Sequence, residues 1–161
     1  MKEAHRSKGV ELLEVLTVGL PFCGFKILTG LSLTPSASPY ARSFGAFLVA
    51  LGVIDAAINV LNLAGLALRS RRPMDACLLA LATRPLHGGS STAVVWQDFG
   101  NSADVLLSFA LVAFVIGGGR IHEMPADRLT IWNACVVLNV LGAGLGRFGE
   151  SLRELSRAAK A

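Results

Sequence analysis

Apolar residues in this chain gather into long runs, separated by short stretches that hold most of the charge. A helix that crosses a bilayer needs about 20 mainly apolar residues to cover about 30 Å of hydrocarbon. The clearest such run is 43–68, which holds no basic residue and one acid, Asp55, and closes on Arg69, Arg71 and Arg72. The run 129–147 is uncharged as far as Gly146 and closes on Arg147. A third, 102–119, is apolar from Val105 but short, so it is expected to borrow residues upstream of Asp104. The fourth, 10–33, is interrupted by Glu11, Glu14, Lys26 and a central Pro21. A surface-lying amphipathic helix is its alternative reading. The pattern predicts an all-α integral membrane protein with four transmembrane helices in one domain covering residues 1–161.

The connections sharpen this outline. The 31–42 stretch carries Pro35, Pro39 and small polar residues, with Tyr40 suited to a membrane interface. Pro73 followed by Asp75 makes a helix start, and the mostly apolar residues from Met74 to Thr83 end before Pro85. A helix over 73–84 is too short to span and reads as interfacial or re-entrant. His87–Thr92 is a flexible turn, and Trp96 sits where an interfacial anchor would. Residues 148–160 place Leu152, Leu155 and Ala159 at helical spacing among Arg153, Glu154, Arg157 and Lys160, the pattern of an amphipathic helix on the cytoplasmic surface.

Composition agrees. Only 16% of the 161 residues are charged while 53% are apolar, and the mean hydropathy is +0.57, against about 25% charged in ordinary soluble domains. The net charge of +4 would fit a nucleic-acid partner if the basic residues formed one patch. Instead they flank the apolar runs. With four spans, eleven fall on one side: Lys2, Arg6, Lys8, Arg69, Arg71, Arg72, Arg84, Arg147, Arg153, Arg157 and Lys160. Three fall on the other, Arg42, Arg120 and Arg128, and Lys26 stays within a span. The positive-inside rule then places both termini in the cytoplasm. Glu11 and Glu14 interrupt what would otherwise be an export signal, so a retained first span and a bacterial-type inner membrane are expected.

Cys23, Cys77 and Cys135 form no CxxC pair, and His5, His87 and His122 all lie in polar stretches. Neither a zinc site nor a thiol redox motif is legible, and no histidine stands where a membrane haem would need one. No metal and no cofactor are predicted, with a bound lipid or quinone left open.

Two runs echo each other. Val60-Leu61-Asn62 is followed by Gly65 and Arg69, and Val137-Leu138-Asn139 by Gly142 and Arg147. The helices before them each carry an acid followed by Val-Leu, at Glu14 and Asp104. This suggests two hairpins, spans one and two and spans three and four, related as a parallel repeat.

Polar groups inside apolar spans cost about 2.5–3.5 kcal/mol each when charged and usually face protein or water. Asp55, Asn59 and Asn62 follow one another at i, i+4 and i+7 and share one narrow face. They read either as a proton-titrating or solute-coordinating site or, preferably, as glue that hydrogen-bonds neighbouring helices. Lys26 could snorkel outward or reach Asp55 as an ion pair. Asn139 is the corresponding amide of the last span. Asn101, Asp104 and Ser108 share a face of the third span. The preferred reading there is capping, with Asn101 or Ser102 as the cap and Asp104 in the first turn, where the helix dipole favours an anion. A cytoplasm-facing vestibule of Glu14, Asn62, Asn101, Asp104 and Ser108 is the competing one. Gly142 and Gly146 form a GxxxG, and Ala46/Ala50 and Gly52/Ala56 form small-residue ridges that let helices approach closely.

Locally, Gly24-Phe25-Lys26-Ile27-Leu28 and the acid in the following span resemble DoxX-type four-helix membrane proteins. The likeness covers the first two spans. It implies a link to oxidoreductase assemblies, with Lys26 and Asp55 as the matching charged positions.

These features point first to a non-catalytic polytopic membrane protein, a helical subunit or self-assembling scaffold held together by a buried polar cluster. Its expected partners are the bilayer and either further copies of itself or a larger membrane complex. The alternative is an oligomeric channel or carrier for protons, ions or a small solute that uses Asp55. A membrane enzyme ranks third, because no Ser-His, Cys-His or metal constellation is present.

Overall fold

The computed structural model describes residues 8–69, 71–74, 77–83 and 90–158, and side chains within 90–93, at 147 and from 150 onward are excluded. Among the described residues the fold is helical, with no strand. Four helices are long and apolar enough to cross a membrane, as a multi-pass membrane protein requires. The first, α1, runs from Lys8 to Leu33. The second, α2, is Pro39–Arg69; a short α3 is Leu78–Thr83; α4 is Ser90–Gly117; and α5 is Ala126–Ala158. Of the expected flexible turn at 87–92, residues 87–89 lie outside the described residues and 90–92 instead form the first turn of α4; the side chains of the amphipathic tail from 150 onward also lie outside the described residues.

Local chemistry explains the boundaries. Pro21 lies inside α1, where it has no N–H to return to the carbonyl four residues earlier, Thr17. The helix widens into a π-turn over Val15–Gly19 just before it, an adjustment that accommodates such a break. Ser38 precedes α2, with Pro39 at its first position. The Ser38 hydroxyl accepts from Ala41 N–H at 3.5 Å, and its carbonyl accepts from Arg42 N–H at 3.1 Å. Proline is favoured there because its missing N–H would be unpaired in any case. Gly119, at φ 69°, takes the left-handed turn that ends α4 and leads into a 3-10 turn at Arg120–Glu123.

Several boundaries differ from the sequence reading. The third span begins well upstream of Asn101, because Val94 and Val95 extend its apolar face. The last span and the tail form one continuous helix, since nothing near Arg147 breaks the backbone. Of the expected helix over 73–84, Leu78–Thr83 is helical, and residues 75, 76 and 84 lie outside the described residues. Pro73, Met74 and Cys77 make the contacts described below.

The helices are not arranged as two equal hairpins. α1 packs most extensively on α2, α5 leans chiefly on α1, and α4 packs on the short α3 as well as on α1. Half of the apolar window of α1 is buried, against 11% of that of α5. The apolar core of Phe22, Phe25 and Leu28 from α1, Val115 from α4, and Trp132 and Cys135 from α5 sits toward one end of this arrangement. Glycines on α1 and α2 allow the close approach. A side chain at Gly30 or Gly45 would press on the other helix's backbone, with Cβ positions 2.5 Å and 2.7 Å from the facing carbonyl oxygens.

Candidate functional site

The packing of α1 on α2 brings Lys26 to Asp55. The Lys26 ammonium lies 2.6 Å from Asp55 Oδ2, and it also donates to Asp104 Oδ1 on α4. One lysine therefore ties three helices at a common depth. Its residue exposure is 0%, against 1% for Asp55 and 6% for Asp104. Lys26 does not snorkel: both carboxylates lie on the face that α1 turns toward the other two helices.

Asp104 corrects the capping reading. It stands in the middle of the 28-residue α4, not in a first turn, so the helix dipole has little influence on it. Ser102 donates back to the Asp98 carbonyl at 2.8 Å and Ser108 to the Asp104 carbonyl at 2.9 Å, both within the helix. The signal was present in the shortness of the third span: if the helix borrows residues before Asp104, that acid must lie inside the membrane and needs a cation.

The second oxygen of Asp55 is engaged as well. Its Oδ1 accepts from the Leu78 N–H at 2.7 Å. Two turns further along α2, Asn62 Oδ1 accepts from the Met74 N–H at 3.1 Å. Met74 and Leu78 thus lie against α2 at Asn62 and Asp55, respectively. Their backbone donors, which a short helix leaves unpaired at its start, are satisfied by two side chains of the polar face. Pro73 packs onto Gly65, where a Cβ would lie 2.5 Å from the proline ring. Asn59, between the two, donates to the Asp55 carbonyl at 2.9 Å and to Cys23 Sγ at 3.5 Å, and it fills the space beside Gly19. The predicted face of Asp55, Asn59 and Asn62 is therefore buried and fully engaged within the chain.

Cys77 adds a further contact, with its thiol donating to Asn101 Oδ1 at 3.6 Å and accepting from Ala80 N–H at 3.4 Å. Burial pushes this thiol up to about 11, which keeps it protonated as a donor. Thr29, one turn along α1 from Lys26, is fully buried, and its hydroxyl has no hydrogen-bond partner among the described residues.

The remaining candidates separate. Glu14 joins Glu11 around Arg72, whose guanidinium lies 2.7 Å from Glu14 Oε2 and 3.4 Å from Glu11 Oε2. This clamp, which sequence reasoning missed, fastens the start of α1 to Arg72, three residues past the end of α2. Glu14, Asn101, Asp104 and Ser108 are thus drawn to different partners, whereas a vestibule would have them face a common space. Asn139 donates to the Thr17 carbonyl at 3.4 Å, the group that Pro21 leaves without its helical donor. Gly142 is buried against the Thr17 side chain, while Gly146 meets open space, so only half of the GxxxG packs within the chain. Gly52 packs on Ile27 and the Cys23 carbonyl, and Ala56 beside it is half-buried. Ala46 and Ala50 are exposed on the outer side of α2, because the inner contact there is made by Gly45, Leu48 and Gly52.

The chain matches no family model, no curated protein and no solved structure. The likeness of its first two spans to DoxX-type proteins accordingly rests on those residues alone.

Proposed function

We propose that the chain is a non-catalytic subunit or self-assembling scaffold of a membrane complex, seated in the inner membrane with both termini cytoplasmic. The observation that carries this reading is that Lys26, Asp55 and Asp104 are all spent on one another inside the protein. A channel or carrier built on Asp55 calls for an acid that meets water, and both oxygens of Asp55 are engaged by protein donors. The outward faces are apolar instead: Phe47, Val53 and Ile54 on α2, Leu106 and Phe109 on α4, and Val140 and Leu141 on α5 are all exposed.

Ala46 and Ala50 lie on that outer surface with no internal contact to make, and a ridge of small residues lets a neighbouring helix approach closely in lipid. The Met74 and Leu78 backbone donors close over the polar seam from one side, and the basic clusters at Arg69 to Arg72 and beyond hold that side at the cytoplasmic interface. Native mass spectrometry of the protein released from lipid nanodiscs tests the reading. A dimer, a higher oligomer or a co-purifying subunit is expected, and the Ala46→Ile/Ala50→Ile double variant should shift the population toward monomer. A lone monomer with no co-purifying partner overturns it.

A further inference from the structure

The seam holds three ionisable side chains whose charges do not cancel. Fully ionised, Lys26, Asp55 and Asp104 sum to one negative charge, where their side chains keep only 1%, 1% and 9% exposure. A net charge in such surroundings is disfavoured unless a further partner or a proton balances it. Among the described residues the facing groups supply no second cation. From α1 come Cys23 and Asn59's contact to it, from just before α3 Cys77, and from α5 the Cys135 thiol that sits on Gly24. A thiol adds no positive charge in either of its states. Asp98, one and a half turns away on α4, is exposed, and Arg72 is committed to Glu11 and Glu14.

The hydrogen bonds also distinguish the two acids. Asp55 accepts from Lys26 on one oxygen and from the Leu78 N–H on the other, which suits an ionised carboxylate with both oxygens as acceptors. Asp104 accepts from Lys26 on Oδ1 alone, and its Oδ2 has no partner among the described residues. It is also the most exposed of the three.

We propose that the Lys26–Asp55–Asp104 triad is a proton-binding site that holds one proton, on Asp104 Oδ2, when α4 is docked on α1. Uptake forms the Oδ2–H bond with a proton from water and leaves the seam neutral. Release returns the proton to water and leaves one negative charge that opposes docking. The seam between α4 and α1 is thereby coupled to proton binding, whether the chain serves as a scaffold or as something else.

Infrared spectroscopy of the full chain in an ester-free detergent reads this directly, because lipid esters absorb where a protonated carboxyl does. The wild type should show a protonated-carboxyl band at neutral pH that fades as the pH is raised. Asp104→Asn, which imitates the neutral acid in size and charge, should keep the fold by circular dichroism and abolish the band. Asp104→Glu should move the band to a new position, and Asp55→Glu should leave it where it was. No band at neutral pH, a band that survives Asp104→Asn, or one that moves with Asp55→Glu instead would overturn the assignment. The oligomer measurement above uses a different readout, so either idea can fail without the other.

Discussion

Two seams leave the first helix, and only one of them holds charge. Toward α2 and α4 apolar packing of Leu33, Leu48 and Leu111 accompanies an ionic cluster, one lysine between two aspartates, closed over by backbone donors from residues 74 and 78. Toward α5 it is apolar, with Phe25 and Trp132 rings 4.9 Å apart, Cys135 on Gly24, and a single amide at Asn139. In a bilayer the difference matters more than it would in water. Lipid tails solvate an apolar helix face nearly as well as another helix does, so the α5 seam gains chiefly from close packing. An unpaired ion has no such substitute. The ionic seam therefore specifies which helices meet and in what register, while the apolar seam is set by shape.

The sharpest way to break the comparison is Lys26→Met. It removes the one cation and leaves two buried acids without a counter-charge, a change that typically costs about 3–5 kcal/mol in a buried pair. Thermal or denaturant unfolding in detergent should show this as the largest loss among single substitutions in either seam. If Trp132→Ala destabilises more, the apolar seam is the dominant one and the contrast drawn above is reversed.

A second variant pair asks how far shape governs the α5 seam. A Cβ at Gly142 would fall 2.5 Å from Thr17 Cβ, whereas one at Gly146 meets nothing within 4 Å. Overpacking of this kind costs about 1–3 kcal/mol, so Gly142→Ala should lower the unfolding midpoint while Gly146→Ala leaves it unchanged or slightly raised, since alanine favours helix. Equal effects from the two would mean that α5 does not pack in this register.

Much of this division could be read from the sequence, and the reasons for the rest are physical. Long apolar runs ending in arginine mark spans by length and charge alone, and the i, i+4, i+7 spacing of Asp55, Asn59 and Asn62 put them on one face. The outlines of the four helices follow from such local rules, while for Lys26 they left open both snorkelling and the pair with Asp55. Asp104 was harder, because its role depends on where its helix starts, and helix starts are fixed by weak apolar residues such as Val94 and Val95. The capping of Asp55 and Asn62 by residues 74 and 78 was invisible for a different reason: backbone donors carry no residue signature. The same holds for Gly30 and Gly45, whose close approach depends on the crossing geometry of two helices and not on either run by itself.

The echo between Val60-Leu61-Asn62 and Val137-Leu138-Asn139 allows the finest test. In both runs valine and leucine are exposed and the asparagine turns inward, yet the two amides perform different tasks. Asn62 receives a backbone donor from Met74, whereas Asn139 gives a donor to the carbonyl that Pro21 leaves without one. The Asn139 contact is long, at 3.4 Å, and interhelical hydrogen bonds in a bilayer average about 0.6 kcal/mol. Asn139→Leu should therefore shift the unfolding midpoint only slightly. Pro21→Ala restores the missing N–H inside α1, so Thr17 no longer depends on Asn139, and in that background the cost of Asn139→Leu should fall toward zero. A double-mutant cycle over the two positions measures this coupling. Strict additivity would show that Asn139 does not serve the gap left by the proline, and the polar contribution to the α5 seam would then have to come from elsewhere.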